Sequence, residues 1–138
     1  MKLPPFMYQM IDHIFISDHR GVIYLNEFSL AINTSFIKKQ GILKQAQLST
    51  TKCFSITKHD KGNSSIDNTT ILLNEMLYAA NHKLKILLYS DDYQESSYLF
   101  ISYLKTHYHF TPEDITRMIV TKDTNVILRK SLITENNE

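Results

Sequence analysis

KILLYSDDYQESSYLFISYL, residues 85–104, holds the two patterns on which the fold turns. Ile86, Leu87, Leu88 and Tyr89 form a short continuous apolar run with no polar alternation. Such a run reads as a strand buried on both faces. Ser90-Asp91-Asp92 ends it. Tyr93, Ser97, Phe100, Ile101, Leu104 and Tyr108 then recur at helical spacing, which predicts an amphipathic helix over about 92–108. Strand and helix in direct succession point to an α/β architecture with helices packed on one or both faces of a sheet.

The flanking segments extend this unit. Upstream, Asp67 or Asn68 can cap a helix whose stripe is Leu72, Leu73, Met76, Leu77 and Ala80, ending at Asn81. Downstream, Thr111-Pro112-Glu113-Asp114 supplies a cap, a proline at the first helical position and two acids near the positive end of the helix dipole. A short helix there would give way to a strand in residues 117–121, parallel to the first through a right-handed crossover. Residues 125–133 read as a further strand or short helix, and 134–138 as a polar tail.

The first half is less regular. Pro4 and Pro5 predict an irregular arm over residues 1–10. Residues 11–25 read as a β-hairpin with its turn in Ser17-Asp18-His19-Arg20-Gly21. For 27–40 two periods compete. Phe28, Leu30 and Ile32 alternate as in a strand, whereas Phe28, Ile32 and Phe36 repeat as on a helix. Asn26 as cap and Gly41 as terminator favour the helix. Residues 42–51 carry no clear pattern, 52–58 read as a strand, and 59–67 as a loop turning at Gly62-Asn63. The expected fold is one α/β (or α+β) domain over 1–138. It has a mixed sheet of about four or five strands, an N-terminal β-hairpin and a C-terminal α-β-α-β unit.

The 138 residues are 43% hydrophobic and 21% charged, enough for a core and too apolar for disorder. A single cysteine, Cys53, excludes an internal disulfide and a cysteine-based zinc site. No apolar stretch approaches the ~20 residues of a membrane span, and no signal-like run opens the chain, so a cytoplasmic location is expected. The net charge of +1 is no nucleic-acid footprint. Residues 35–62, however, carry six lysines against one aspartate.

Asp91 and Asp92 are the sharpest candidates for chemistry. At the carboxyl end of a parallel strand they sit where α/β folds bind ligands, and two carboxylates could hold Mg²⁺ against a phosphate. The same residues make good helix caps, with Gln94 and Glu95 each three residues on. No glycine follows Gly62 to bring backbone amides close to a phosphate, so capping is the preferred reading. His107 and His109 have metal-like spacing but no third ligand. Asp18-His19-Arg20 reads as a solvated turn, and Cys53 as a small core residue. Lys38, Lys39, Lys44, Lys52, Lys58 and Lys61 form a binding segment for an anionic partner. With no arginine among them, any nucleic-acid contact would be non-specific. Tyr98 and Tyr103 fall off the helix's core stripe and suggest a docking edge.

No catalytic constellation is complete within any local stretch. The expected function is accordingly a non-enzymatic interaction module that docks a protein partner or itself and takes no cofactor. The alternative is a metal-dependent enzyme acting on a phosphoester or nucleotide, with Asp91 and Asp92 as ligands and His107 or His109 as acid or base. A third is a non-specific nucleic-acid accessory role for the lysine segment.

Overall fold

Every residue of the 86–90 run is buried, and the run forms the middle of a five-stranded sheet. The computed structural model describes residues 3–35, 39–56, 58–61, 64–91 and 93–120. In chain order the elements are β1 (Met7–Ile11), β2 (Ile14–Asp18), a 3₁₀ helix (His19–Glu27), β3 (Leu30–Asn33), α1 (Gln40–Leu48), β4 (Lys52–Ser55), β5 (Lys58–Lys61), β6 (Ser64–Asp67), α2 (Thr69–Asn81), β7 (Ile86–Ser90), α3 (Tyr93–Tyr108) and α4 (Pro112–Val120). The large sheet has the order β1-β2-β7-β3-β4, and β5 and β6 form a separate hairpin. β1 runs antiparallel to β2, whereas β7 is parallel to both β2 and β3, and β3 is parallel to β4. The expected single-domain α/β fold with a mixed sheet is therefore present.

β7 has no polar face because both its faces are covered. Ile86 and Leu88 pack with Leu72 and Met76 of α2 and with Phe100, Ile101 and Leu104 of α3. Leu87 and Tyr89 point to the other side, against Val22 and Leu25 of the 3₁₀ helix, Phe28 just after it, and Ile42 and Ala46 of α1. The alternation of side chains along a strand thus separates two cores.

Several expected elements are corrected. The arm expected over 1–10 gives way at Met7 to a strand in which Met7 and Met10 bury against the cores; residues 1–2 lie outside the described residues. The hairpin joins β1 to β2 through Asp12-His13, one strand earlier than expected. Residues 22–25 are not its second strand: they lie in the 3₁₀ helix, which Asp18 caps by accepting the Arg20 N–H. Within the helix expected over 27–40, residues 30–33 instead form β3, all four of them buried, and residues 36–38 lie outside the described residues. The helical spacing of Phe28 and Ile32 is an accident of a strand buried on both faces. The uncertain 42–51 segment holds most of α1. The loop expected over 59–67 contains β5 and β6, while the turn at Gly62-Asn63 lies outside the described residues.

At the carboxyl side, α4 runs to Val120, so residues 117–120 are helical where a strand was expected. The parallel neighbours of β7 come from the first half of the chain instead. Thr111 and Asp114 exchange hydrogen bonds at the start of α4, a reciprocal cap as anticipated there. Residues 121–138, with the expected C-terminal element and tail, lie outside the described residues. Among the described residues no helix is long and apolar enough to cross a membrane.

Candidate functional site

Parallel register brings three strand ends level. Asp18 pairs with Ser90 across β2 and β7, and Asn33 pairs with Tyr89 across β3 and β7. The residues just beyond those pairs are His19, Thr34, Ser35 and Asp91. They converge although the chain separates them widely, and they do so at the edge where parallel sheets hold ligands.

This edge is where the molecule buries its polar groups. Ser17, Asn33, Thr34, Ser35, Ser90, Ser96 and Ser97 are all buried, and only Thr51 among the other described polar residues matches them. The hydroxyls form a chain. Thr34 Oγ1 donates to the Tyr89 carbonyl at 3.2 Å and lies 2.9 Å from Ser96 Oγ, which is 3.2 Å from Ser90 Oγ. Each hydroxyl has one proton. With Thr34 committed to the carbonyl, Ser96 donates to Thr34 and Ser90 to Ser96. This chain ties β3, β7 and the first turn of α3 together.

Beside it lies a second cluster that carries charge. His19 Nδ1 is 2.9 Å from Asp91 Oδ1, and Lys39 Nζ is 2.9 Å from the same oxygen. His19 Nε2 is 3.3 Å from Ser35 Oγ, which also accepts the Asp91 backbone N–H at 2.9 Å. The His19 side chain is 13% exposed and that of Asp91 38%, so the cluster opens to solvent on the carboxylate side. The Lys39 ammonium bonded to Asp91 holds its carboxyl below the usual range, and the neighbouring His19 acts in the same direction. The His19 ring packs edge-on to Tyr89, with centroids 6.1 Å apart. Asn33 fixes the approach of Ser35: its Oδ1 accepts the Ser35 N–H at 3.0 Å. Its Nδ2, buried, has no hydrogen-bond partner among the described residues.

A third layer frames the opening. Asp18 accepts from the Arg20 guanidinium through both carboxylate oxygens, Nε bonding to Oδ1 and Oδ2 and Nη2 to Oδ2. Burial pushes the Asp18 carboxyl up, but the Arg20 bonds outweigh it and leave the group below its ordinary value. Arg20 lies over the Phe6 ring at 4.6 Å, and Tyr93 Oη donates to the Phe6 carbonyl at 2.8 Å. The segment before β1 is thereby strapped to α3.

The candidates named from sequence are dispersed. Asp91 is central, but its carboxylate engages Lys39 and His19 rather than serving simply as a cap; Asp92 lies outside the described residues. Of the lysines, Lys39 belongs to the site, Lys52 pairs with Glu75, and Lys44 is exposed on α1. Lys38 and the side chains of Lys58 and Lys61 lie outside the description. Tyr103 is fully buried, which corrects its place on a docking edge, and Tyr98 accepts a bond from Gln94 within α3. His107 sits against the Tyr103 ring. His109 follows the end of α3 in the left-handed region, at φ 56°, where the Phe110 N–H reaches back to the Leu104 carbonyl. Among the described residues no three His, Cys, Asp or Glu side chains are grouped to hold a metal ion. Asp18-His19-Arg20, expected as a solvated turn, is a helix start that delivers His19 to the site. Ser35 was missed, and His19 was set aside within a solvated turn, because their partners are remote in sequence. The only local signal was the row of poor helix formers, Asn33-Thr34-Ser35.

Neither the protein-family models nor the curated proteins match this sequence. Solved structures do. Human DUSP28 aligns over 97% of both chains with a TM-score of 0.65 at 13% identity. The fold is that of phosphatase domains. A mouse protein of the dual specificity phosphatase kind, complexed with zinc tungstate, matches 97% of this chain and 88% of its own, with a TM-score of 0.63 at 15% identity. PTPMT1 in complex with PI(5)P matches 96% and 99%, with a TM-score of 0.60 at 11% identity. These likenesses overturn the expectation of a non-enzymatic interaction module. That expectation rested on the lack of a complete local motif, and the site here is assembled from strand ends that no local motif spans.

Proposed function

We propose that this protein is a phosphoester-directed enzyme, hydrolysing a phosphomonoester at the carboxyl edge of β2, β3 and β7. The observation that carries the reading is the Ser35–His19–Asp91–Lys39 cluster at that edge, in a chain with a phosphatase fold along nearly its whole length. A phosphate needs positive charge and hydrogen-bond donors, and hydrolysis needs a nucleophile with a base beside it. Lys39 supplies the charge, Asn33 Nδ2 a donor uncommitted among the described residues, and His19 the base. Two of the neighbours carry zinc tungstate or PI(5)P in their crystals, ligands that present a tetrahedral oxyanion.

The chemistry differs from the metal-dependent version considered from sequence. The Asp91 carboxylate already faces an ammonium and an imidazole, so a divalent cation would have to displace Lys39. Asp91 acts here through His19. Its own negative charge opposes an incoming dianion and makes turnover slow. The test is hydrolysis of p-nitrophenyl phosphate by the full chain, with and without EDTA, and with tungstate as competitor. Slow turnover that persists in EDTA, is inhibited competitively by tungstate and falls about 10²-fold or more in Asp91→Asn supports the reading. Absence of both turnover and tungstate binding overturns it.

A further inference from the structure

We propose that the pocket beneath the N-terminal arm binds a free aromatic α-amino acid, at the end of the sheet opposite the phosphoester site and independently of it. Phe15 is the second residue of β2 and Lys85 immediately precedes β7, whereas the phosphoester edge lies at Asp18 and Ser90. The pocket holds about 280 Å³. That is just under the roughly 300 Å³ at which sites for drug-sized ligands begin, so its occupant is small. Phe15, Tyr24 and Phe28 supply its rings, and Leu3, Pro4 and Pro5 line it from the arm. The arm is held in place. The Met7 N–H donates to the Pro4 carbonyl at 3.0 Å, and the Phe6 ring lies 6.1 Å from that of Tyr24. Phe15 and Phe28 meet edge to face with centroids 5.4 Å apart. A further ring entering the pocket therefore finds aromatic partners already ordered, which lowers the cost of binding it.

Two charges specify more than a ring. Lys85 and Glu27 both line the pocket and both are exposed. The Lys85 ammonium stands over the Phe15 ring, 5.7 Å from its centroid. The backbone keeps the two segments together, because the Lys85 carbonyl accepts the N–H groups of Ser29 and Leu30 at 3.0 and 3.2 Å, two and three residues past Glu27. Yet neither Glu27 nor Lys85 is ion-paired to the other or to any other described residue. An ammonium and a carboxylate on one carbon offer a partner to each, the carboxylate to Lys85 and the ammonium to Glu27. A simple carboxylic acid would face the like charge of Glu27, and a simple amine that of Lys85. An aromatic α-amino acid carries both charges beside a ring. The two charges meet their partners in water, so each adds a few-fold to affinity rather than orders of magnitude, and burial of the ring supplies the rest. A ligand of about a dozen non-hydrogen atoms held in this way binds with a Kd of roughly 0.1 to a few millimolar.

The test is a titration of L-phenylalanine into the ¹⁵N-labelled full chain, followed by ¹H–¹⁵N correlation spectra, which read binding whether or not the protein turns over a phosphoester. Three further probes dissect the ligand. L-alanine lacks the ring, phenethylamine lacks the carboxylate, and N-acetyl-L-phenylalanine lacks the ammonium. Lys85→Gln and Glu27→Gln are titrated beside the wild type, with thermal melts as a folding control. Saturable shifts centred on Tyr24, Phe28 and Lys85 support the proposal when each of the three probes binds about three-fold or more weaker and each substitution weakens L-phenylalanine by a similar factor. Absence of saturable shifts at those residues overturns it. Equal binding by L-phenylalanine, phenethylamine and N-acetyl-L-phenylalanine also overturns it, because the pocket would then read a ring without its charges. Shifts of the same residues that follow protein concentration alone overturn it as well and assign this face to a second copy of the chain.

Discussion

Asp91 has two cationic or protonable neighbours on one oxygen, and its backbone N–H is bonded to Ser35. Its carboxyl and that of Asp18 are both held below the ordinary range in the folded state. A carboxyl with a depressed folded value binds more protons when unfolded, so stability rises with pH through that window. The contribution is complete above the unfolded value, about 4, and fades as pH falls through the lower folded values. Thermal melts from pH 6 to pH 2 should therefore fall less steeply in Asp18→Asn and Asp91→Asn than in the wild type. A second expectation concerns the hydroxyl chain. Ser96→Ala removes both the acceptor of Ser90 and the donor to Thr34 in a dry setting. It should cost about 1–3 kcal/mol in urea unfolding. Alanine at Thr106, an exposed polar position on the same helix, should cost almost nothing.

At the scale of elements, β7 is the strand most dependent on packing. Leu88→Ala empties a site enclosed by α2, α3 and the neighbouring strands and should destabilise by about 2–5 kcal/mol in denaturant titration. The 3₁₀ helix depends on a close approach instead. A Cβ on Gly21 would stand 2.8 Å from Ser17 Cβ, so Gly21→Ala must move β2 or the helix and should cost about 1–3 kcal/mol. These elements were unequally legible in the sequence. β7 and α3 could be read because each has one unmixed period, and α4 because Thr111 and Pro112 mark its start. β3 could not, because Phe28, Ile32 and Phe36 imitate a helix as well as Phe28, Leu30 and Ile32 mark a strand, and Asn26 and Gly41 tip the balance towards the helix. The 3₁₀ helix was hidden for a related reason: its run Val22-Ile-Tyr-Leu25 looks β-like, yet only Val22 and Leu25 are buried. For the site, Asp91 was visible as the punctuation after β7. His19 and Ser35 become meaningful only once parallel pairing sets their strand ends level, and that pairing is long-range.

At the scale of the whole molecule, four of the five strands in the large sheet are parallel, and their aligned ends gather nearly all the described buried polar residues on one edge. Helices α2 and α3 pack on one face of that sheet, and the 3₁₀ helix and α1 on the other. The chain's one cysteine is elsewhere. Cys53 pairs with Ala31 in the middle of the β3–β4 ladder, its sulfur beside Ser49 and the Ala46 carbonyl. The proposed activity therefore involves no thiol. Peroxide or iodoacetamide, which silence thiol-dependent enzymes, should leave the proposed turnover intact, so that the activity would outlast an oxidative burst.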